Sequence, residues 1–153
     1  MGPMSSTLGS DLLSVVARIN RLANQRLRMP VPFAQARLLS TIEDQGEARI
    51  SDLAALDHCS QPTMTTQVRR LEDAGMVTRT PDPHDARAVL IRITPAGVTA
   101  LRQARADRGA AIDPYLERLS DADRACLTQA VSVLRRIIED ATAPSRPNPT
   151  GTG

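Results

Sequence analysis

The chain has 153 residues, 41% hydrophobic and 24% charged, with a formal net charge of +2, a balance that suits one globular domain and excludes a chain disordered throughout. No apolar run approaches the roughly 20 residues that span a bilayer, and no basic segment with an apolar stretch behind it opens the chain, so the sequence predicts a cytoplasmic protein with no membrane partner. All 19 cations are arginine, and Phe33 and Tyr115 are the only aromatics.

Met1-Gly2-Pro3 reads as an expression-tag remnant before a native Met4, within a flexible lead-in over 1–7. From Leu8 to Leu27, Leu12, Leu13, Val16, Ile19, Leu22, Ala23 and Leu27 recur at a helical period. Met29-Pro30-Val31-Pro32 ends this first helix, and Pro32 opens a second carrying Phe33, Ala36, Leu39 and Ile42 up to Gln45-Gly46. Arg49-Ile50 is short and extended. Ser51 is expected to cap a third helix, "DLAALDHC", and Ser60 a fourth, "QPTMTTQVRRLEDAG", with Pro62 in its first turn and Gly75 just past its end. The β-prone runs "MVTRT" and "RAVLIRI" flank a Pro81-Asp82-Pro83-His84-Asp85 tip and read as a hairpin. Thr94-Pro95 starts a fifth helix to about Leu119, and Ser120 with Asp123 forms a capping box for a sixth. The segment 143–153, "APSRPNPTGTG" from Ala143, is expected to be disordered.

The predicted fold is mainly α with a small β-hairpin wing. Two short helices joined by a tight turn make a helix-turn-helix, and the hairpin that follows makes it winged. A helix that enters the major groove needs short polar side chains near its N-terminus and cations beside them. The fourth helix supplies both: Met64, Val68, Leu71 and Met76 turn inward, leaving Ser60, Gln61, Pro62, Thr63, Thr65, Thr66, Arg69 and Arg70 to face DNA. A solvated polar face is the plain alternative reading of that stretch. In the wing, His84, Asp85 and Arg87 are the candidate contacts, with Arg87 entering a narrow minor groove and Asp85 orienting it or tying the wing to the domain. Guanidinium suits phosphate and guanine, although a coding bias would produce the same all-arginine composition. With so few aromatics to stack on unpaired bases, a nucleic-acid partner would be duplex. Between Arg49 and Arg92 six arginines face six acids, so binding must come from placement rather than net charge.

"DARAVLIRITPAG", Asp85 to Gly97, resembles the wing signature of the MarR (multiple-antibiotic-resistance regulator) family, Asp-x-Arg followed by a strand and Thr-x-x-Gly; "ISDLAALDHCSQPTMTTQVRRLEDAGMVTRTPDPHDAR" resembles the helix-turn-helix that precedes it. The resemblance covers about Leu8 to Ala141. It implies a homodimeric transcription factor, usually a repressor, that reads a pseudo-palindromic operator and whose terminal helices build the dimer; relatives often release DNA when a small phenolic acid binds or a cysteine oxidises. It also implies DNA contacts at Thr65, Thr66, Arg70 and Arg87. Thr66 stands where many relatives carry arginine. The broad apolar faces of the first and sixth helices agree independently with a dimer, through Leu12, Val16, Ile19, Leu127, Val131, Leu134 and Ile138. The expected division is a helical dimerisation region from 8–30 and 96–142 around a winged-helix domain over 32–95.

The alternative is a winged-helix module that binds another protein. No Ser/His/Asp set, phosphate-cradling glycine loop or paired carboxylates are evident, so no enzyme, cofactor or metal is expected. Cys59 and Cys126 are read as packing residues lying in helical patterns, and neither the effector nor a sensing role for Cys59 or His84 follows from the sequence.

Overall fold

The computed structural model describes residues 4–25 and 31–143. The supposed tag remnant at 1–3 and the expected disordered tail, apart from Ala143, lie outside the described residues. Among the described residues, nine elements follow in order: α1 (Met4–Gln25), α2 (Phe33–Gln45), β1 (Ala48–Arg49), α3 (Ile50–Leu56), α4 (Gln61–Asp73), β2 (Val77–Asp82), β3 (Asp85–Ile93), α5 (Pro95–Leu116) and α6 (Asp121–Thr142). The sheet is antiparallel in the order β1-β3-β2, so the expected two-stranded wing gains a third strand at its base. β1 pairs Ala48 with Ile91 and Arg49 with Leu90.

Several boundaries differ from the sequence expectation for local reasons. α1 starts at Met4 rather than near Leu8, and α5 ends at Leu116, short of Leu119. Pro32 is the residue before α2 rather than its first residue; its carbonyl accepts the Gln35 and Ala36 amides. Ser51 does not cap α3: the flanking position is Arg49, whose backbone is drawn into extended geometry by its pairing with β3, and the helix has no side-chain cap. His58 and Cys59 are not helical. α3 ends at Leu56, and His58 adopts φ +51° in the turn toward α4, a left-handed conformation that a non-glycine residue tolerates only when a tight turn demands it.

A single core unites the winged-helix elements. Leu39 and Ile42 of α2, Leu53 of α3, Met64, Val68 and Leu71 of α4, and Ile91 of β3 are completely buried, and Leu101 of α5 joins them. Each such side chain contributes about 1.5–3 kcal/mol relative to leaving it in water. Cys59 packs on this core, whereas Cys126 on α6 is exposed, contrary to the packing role expected of it. The chain divides into two compact units, Met1–Ile112 and Asp113–Gly153. The first therefore extends past residue 95, the expected domain edge, because Leu101 and Ala104 of α5 are buried within it. In the second, Ser120 accepts the Asp123 amide at 3.1 Å and caps α6, none of whose residues is buried.

The junction between hairpin and α5 explains the Thr-x-x-Gly pattern physically. Thr94 donates its hydroxyl to the Gly75 carbonyl at 2.6 Å, gives its amide to the Met76 carbonyl at 3.0 Å and accepts the Gly97 amide at 3.1 Å. Gly75, at φ +72°, makes the turn out of α4 that places these carbonyls. Gly97 then lies against the same strand entry, where an added Cβ would come within 2.1 Å of the Met76 carbonyl oxygen. No side chain fits there without moving backbone. Gly97→Ala should lower unfolding free energy by about 2–4 kcal/mol. Gly109→Ala, in open space on the same helix, should be neutral or gain up to about 1 kcal/mol. Urea unfolding of the two variants checks this contrast, and equal midpoints would refute it.

Candidate nucleic-acid interface

α4 is closed at its N-terminus by Ser60, whose oxygen accepts the Thr63 amide at 3.3 Å and lies 2.8 Å from the Thr63 hydroxyl. Ser60 and Thr63, both counted among the DNA-facing residues from the sequence, are thus occupied with the cap although exposed. Met64, Val68 and Leu71 anchor one side of the helix in the core. The opposite side presents Gln61, Pro62, Thr66, Arg69 and Arg70 to solvent, with Thr65 half-buried at its margin. The Thr65 and Thr66 hydroxyls donate back to the Gln61 and Pro62 carbonyls at 2.8 and 3.1 Å.

The wing owes its shape to Asp82, which sequence reasoning passed over in favour of Asp85. One oxygen of Asp82 accepts both Nε and a terminal nitrogen of Arg49 at 2.9 and 2.5 Å, and the other accepts the His84 amide at 2.9 Å. Asp82 is the one buried charged residue among those described. The tie between wing and domain assigned to Asp85 belongs to Asp82. Asp85 instead accepts the backbone amide of Arg87 at 3.0 Å, which folds the strand and does not orient the guanidinium. The hairpin register breaks here: Pro81 pairs with Val89, but Asp82 pairs with Asp85, so Ala86, Arg87 and Ala88 have no partner on β2. A bulge of this kind redirects the side chains it carries, and Arg87 is exposed within it, with His84 at the two-residue turn before it.

Ion pairing separates the arginines into two sets. Arg49 is held by Asp82, Arg79 by Glu72 at 2.7 Å, and Arg92 by Glu47. Arg69, Arg70 and Arg87 have no side-chain hydrogen-bond or ion-pair partner among the described residues and keep free guanidinium groups. Asp57 is taken by Arg37. Between Arg49 and Arg92, the cations left free are the three expected to face DNA.

A second feature lies within the same compact unit. A cavity of about 190 Å³ between α1, α2 and α5 is lined by Phe33, Ala36, Leu101 and Ala104 and by Arg37, Arg105 and Arg108, the first two paired with Asp57 and Glu43. Arg108 lies 5.0 Å over the Phe33 ring and donates to Asn20 at 2.7 Å, while its buried Nε has no partner. Phe33, one of the apolar residues read on α2, lies partly exposed as a wall of this cavity. Among the described residues no cluster of His, Cys, Asp and Glu could hold a metal ion, and no helix is long and apolar enough to cross a membrane.

A family model described as the MarR family matches residues 33–89, from the start of α2 into β3. An uncharacterized HTH-type transcriptional regulator of Mycobacterium leprae is 30% identical over 135 residues, covering 88% of this chain and 94% of its own length. The transcriptional regulator Tm0710 of Thermotoga maritima superposes with a TM-score of 0.70 at 25% identity, over 92% of this chain and 99% of that one. A mutant MarR of E. coli solved with operator DNA shares the fold at a TM-score of 0.57 and 24% identity, over 84% and 93% of the two chains.

The Asp82 pair has a pH signature. The His84 amide and, behind it, Arg49 hold the Asp82 carboxyl below the usual carboxylate range, against the opposing effect of burial. A depressed carboxylate stabilises the fold at pH values above its unfolded value and loses that contribution as pH falls through the folded value. Asp82→Asn should therefore melt below wild type at neutral pH, with the gap closing below about pH 4. Thermal melts from pH 7 to pH 2.5 measure it; a gap independent of pH would contradict the assignment.

Proposed function

The chain belongs to the MarR family of HTH-type transcriptional regulators, and from that premise we propose that it is a homodimeric repressor that reads duplex DNA through α4 and the wing. The observation that carries this reading is the partition of arginines: within the winged helix, internal acids neutralise Arg49, Arg79 and Arg92 and leave Arg69, Arg70 and Arg87 free. Free guanidinium groups on a groove-entering helix and on a wing bulge can reach phosphates and a narrow minor groove. α4 carries no exposed large apolar side chain, so nothing on it favours a protein-binding module.

The dimer is proposed from apolar side chains left in water. Leu13, Val16 and Ile19 on α1 are exposed, as are Leu127, Val131 and Ile138 on α6, while Leu12 and Leu134 are half-buried. A monomer would keep this surface wet at a cost of about 25 cal/mol for each Å². A twofold pair of α4 helices would meet half-sites about 10 bp apart. Repression, the direction implied by the resemblance, predicts higher expression of a reporter under the bound DNA when the protein is absent.

Fluorescence anisotropy on the DNA upstream of the gene and on a scrambled duplex tests the reading. The native duplex should be preferred, and Arg87→Ala should weaken its binding about 5- to 100-fold. Leu127→Asp with Ile138→Asp should sediment as a monomer and lose tight binding. Equal affinity for both duplexes in wild type, or a dimeric double variant, would count against the respective part.

The cavity between α1, α2 and α5 fits a small aromatic acid: apolar walls and the Arg108 guanidinium with its one buried, unpartnered donor, Arg37 and Arg105 being already paired with Asp57 and Glu43. Such a ligand would bias the protein only by binding its DNA-free arrangement better. Salicylate at millimolar concentration should release the duplex from wild type and fail to do so from Arg108→Ala; release from both would place the ligand elsewhere.

A further inference from the structure

Thr66 occupies the middle of the solvent face of α4. Pro62 stands one turn before it, Arg69 and Arg70 about one turn after, and all four are exposed. A threonine hydroxyl has one proton to donate, and that of Thr66 is already directed to the Pro62 carbonyl at 3.1 Å, as that of Thr65 is to Gln61 at 2.8 Å. In this arrangement the Thr66 oxygen can only accept, and the other group available to a partner is the Cγ2 methyl. The neighbouring Ser60 and Thr63 hydroxyls bond to each other in the cap, which uses one of their two protons.

The four base-pair orientations differ in what they show in the major groove. Guanine shows two acceptors, cytosine an amino donor, adenine an acceptor and an amino donor, and thymine an acceptor and a methyl group. Guanine would set its acceptors against an oxygen with no proton to give. A T·A pair offers a methyl for the Thr66 methyl and, beside it, an adenine amino group for the Thr66 oxygen. Of the four unmodified bases, only thymine supplies that methyl.

We infer that Thr66 is a specificity-determining residue, which selects a T·A pair in each operator half-site through the thymine C5 methyl. This rests on the reading of α4 as the groove-entering helix. Arg69 and Arg70 remain available for phosphates or guanines on either side, so the selection concerns the base pair under Thr66 alone.

Replacing thymine by uracil deletes the methyl and leaves every hydrogen-bonding group in place, so it isolates the contact. With the preferred duplex from the assay above, each thymine of a half-site is replaced in turn and binding is followed by anisotropy. Wild type should lose about three- to five-fold at one position, roughly the worth of one buried methyl group. Thr66→Ser, which keeps the hydroxyl, should lose a similar factor on the thymine duplex and be indifferent to uracil at that position. Thr66→Val, which keeps the methyl and loses the oxygen, should retain the uracil penalty. If wild type prefers its duplex over the scrambled one but no uracil penalty depends on Thr66, the inference is overturned and the functional reading stands. If wild type shows no preference, the functional reading falls and takes the inference with it.

Discussion

Asp82 divides its two oxygens between two parts of the chain. One receives the Arg49 guanidinium from the strand that leads into α3; the other receives the amide of His84 at the hairpin turn. The carboxylate thus defines the turn and fixes its base to the helix-turn-helix in the same act. Burying a charge is costly unless it is paired and hydrogen-bonded, and Asp82 is satisfied on both counts. The bulge that presents Arg87 begins at this residue, because pairing Asp82 with Asp85 leaves Ala86 to Ala88 without partners on β2.

Around that anchor, the remaining ion pairs matter more for placement than for stability. Arg79 with Glu72 joins β2 to α4, and Arg92 with Glu47 joins β3 to the residue before β1. Pairs this exposed typically contribute no more than about 1 kcal/mol each. Their larger effect is electrostatic bookkeeping over the surface: they remove positive charge from the body of the winged helix and leave it on α4 and the wing. A region with equal numbers of acids and arginines can attract a polyanion only if the two are sorted in space, and the fold does the sorting.

The legibility of the chain varies with the range of the forces involved. Ser60, Gly46, Gly75 and the Ser120 box were readable because capping and helix termination are decided within four residues. Ser51 was misread, since the position of the α3 start depends on Arg49 pairing with Leu90 across the sheet. The same distinction separates Asp82 from Asp85. Both acids lie in one short tip, and only the register break and the long-range partner Arg49 decide which turns inward. His58 and Cys59 continue a helical pattern in sequence, but the turn into α4 interrupts it, and no local signal places Arg108 of α5 over the Phe33 ring.

Sequence alone therefore determined the order of elements, the inward stripe of α4, the wing and the family resemblance, because periodicity, caps and turn residues act locally and leave marks at short spacing. Tertiary structure decided which arginines are free, which acid anchors the wing, why Gly97 admits no side chain, and where three cations converge on one cavity. Those outcomes depend on residues dozens of positions apart meeting at hydrogen-bond distance, and no local pattern encodes which of several chemically equivalent side chains will find its partner.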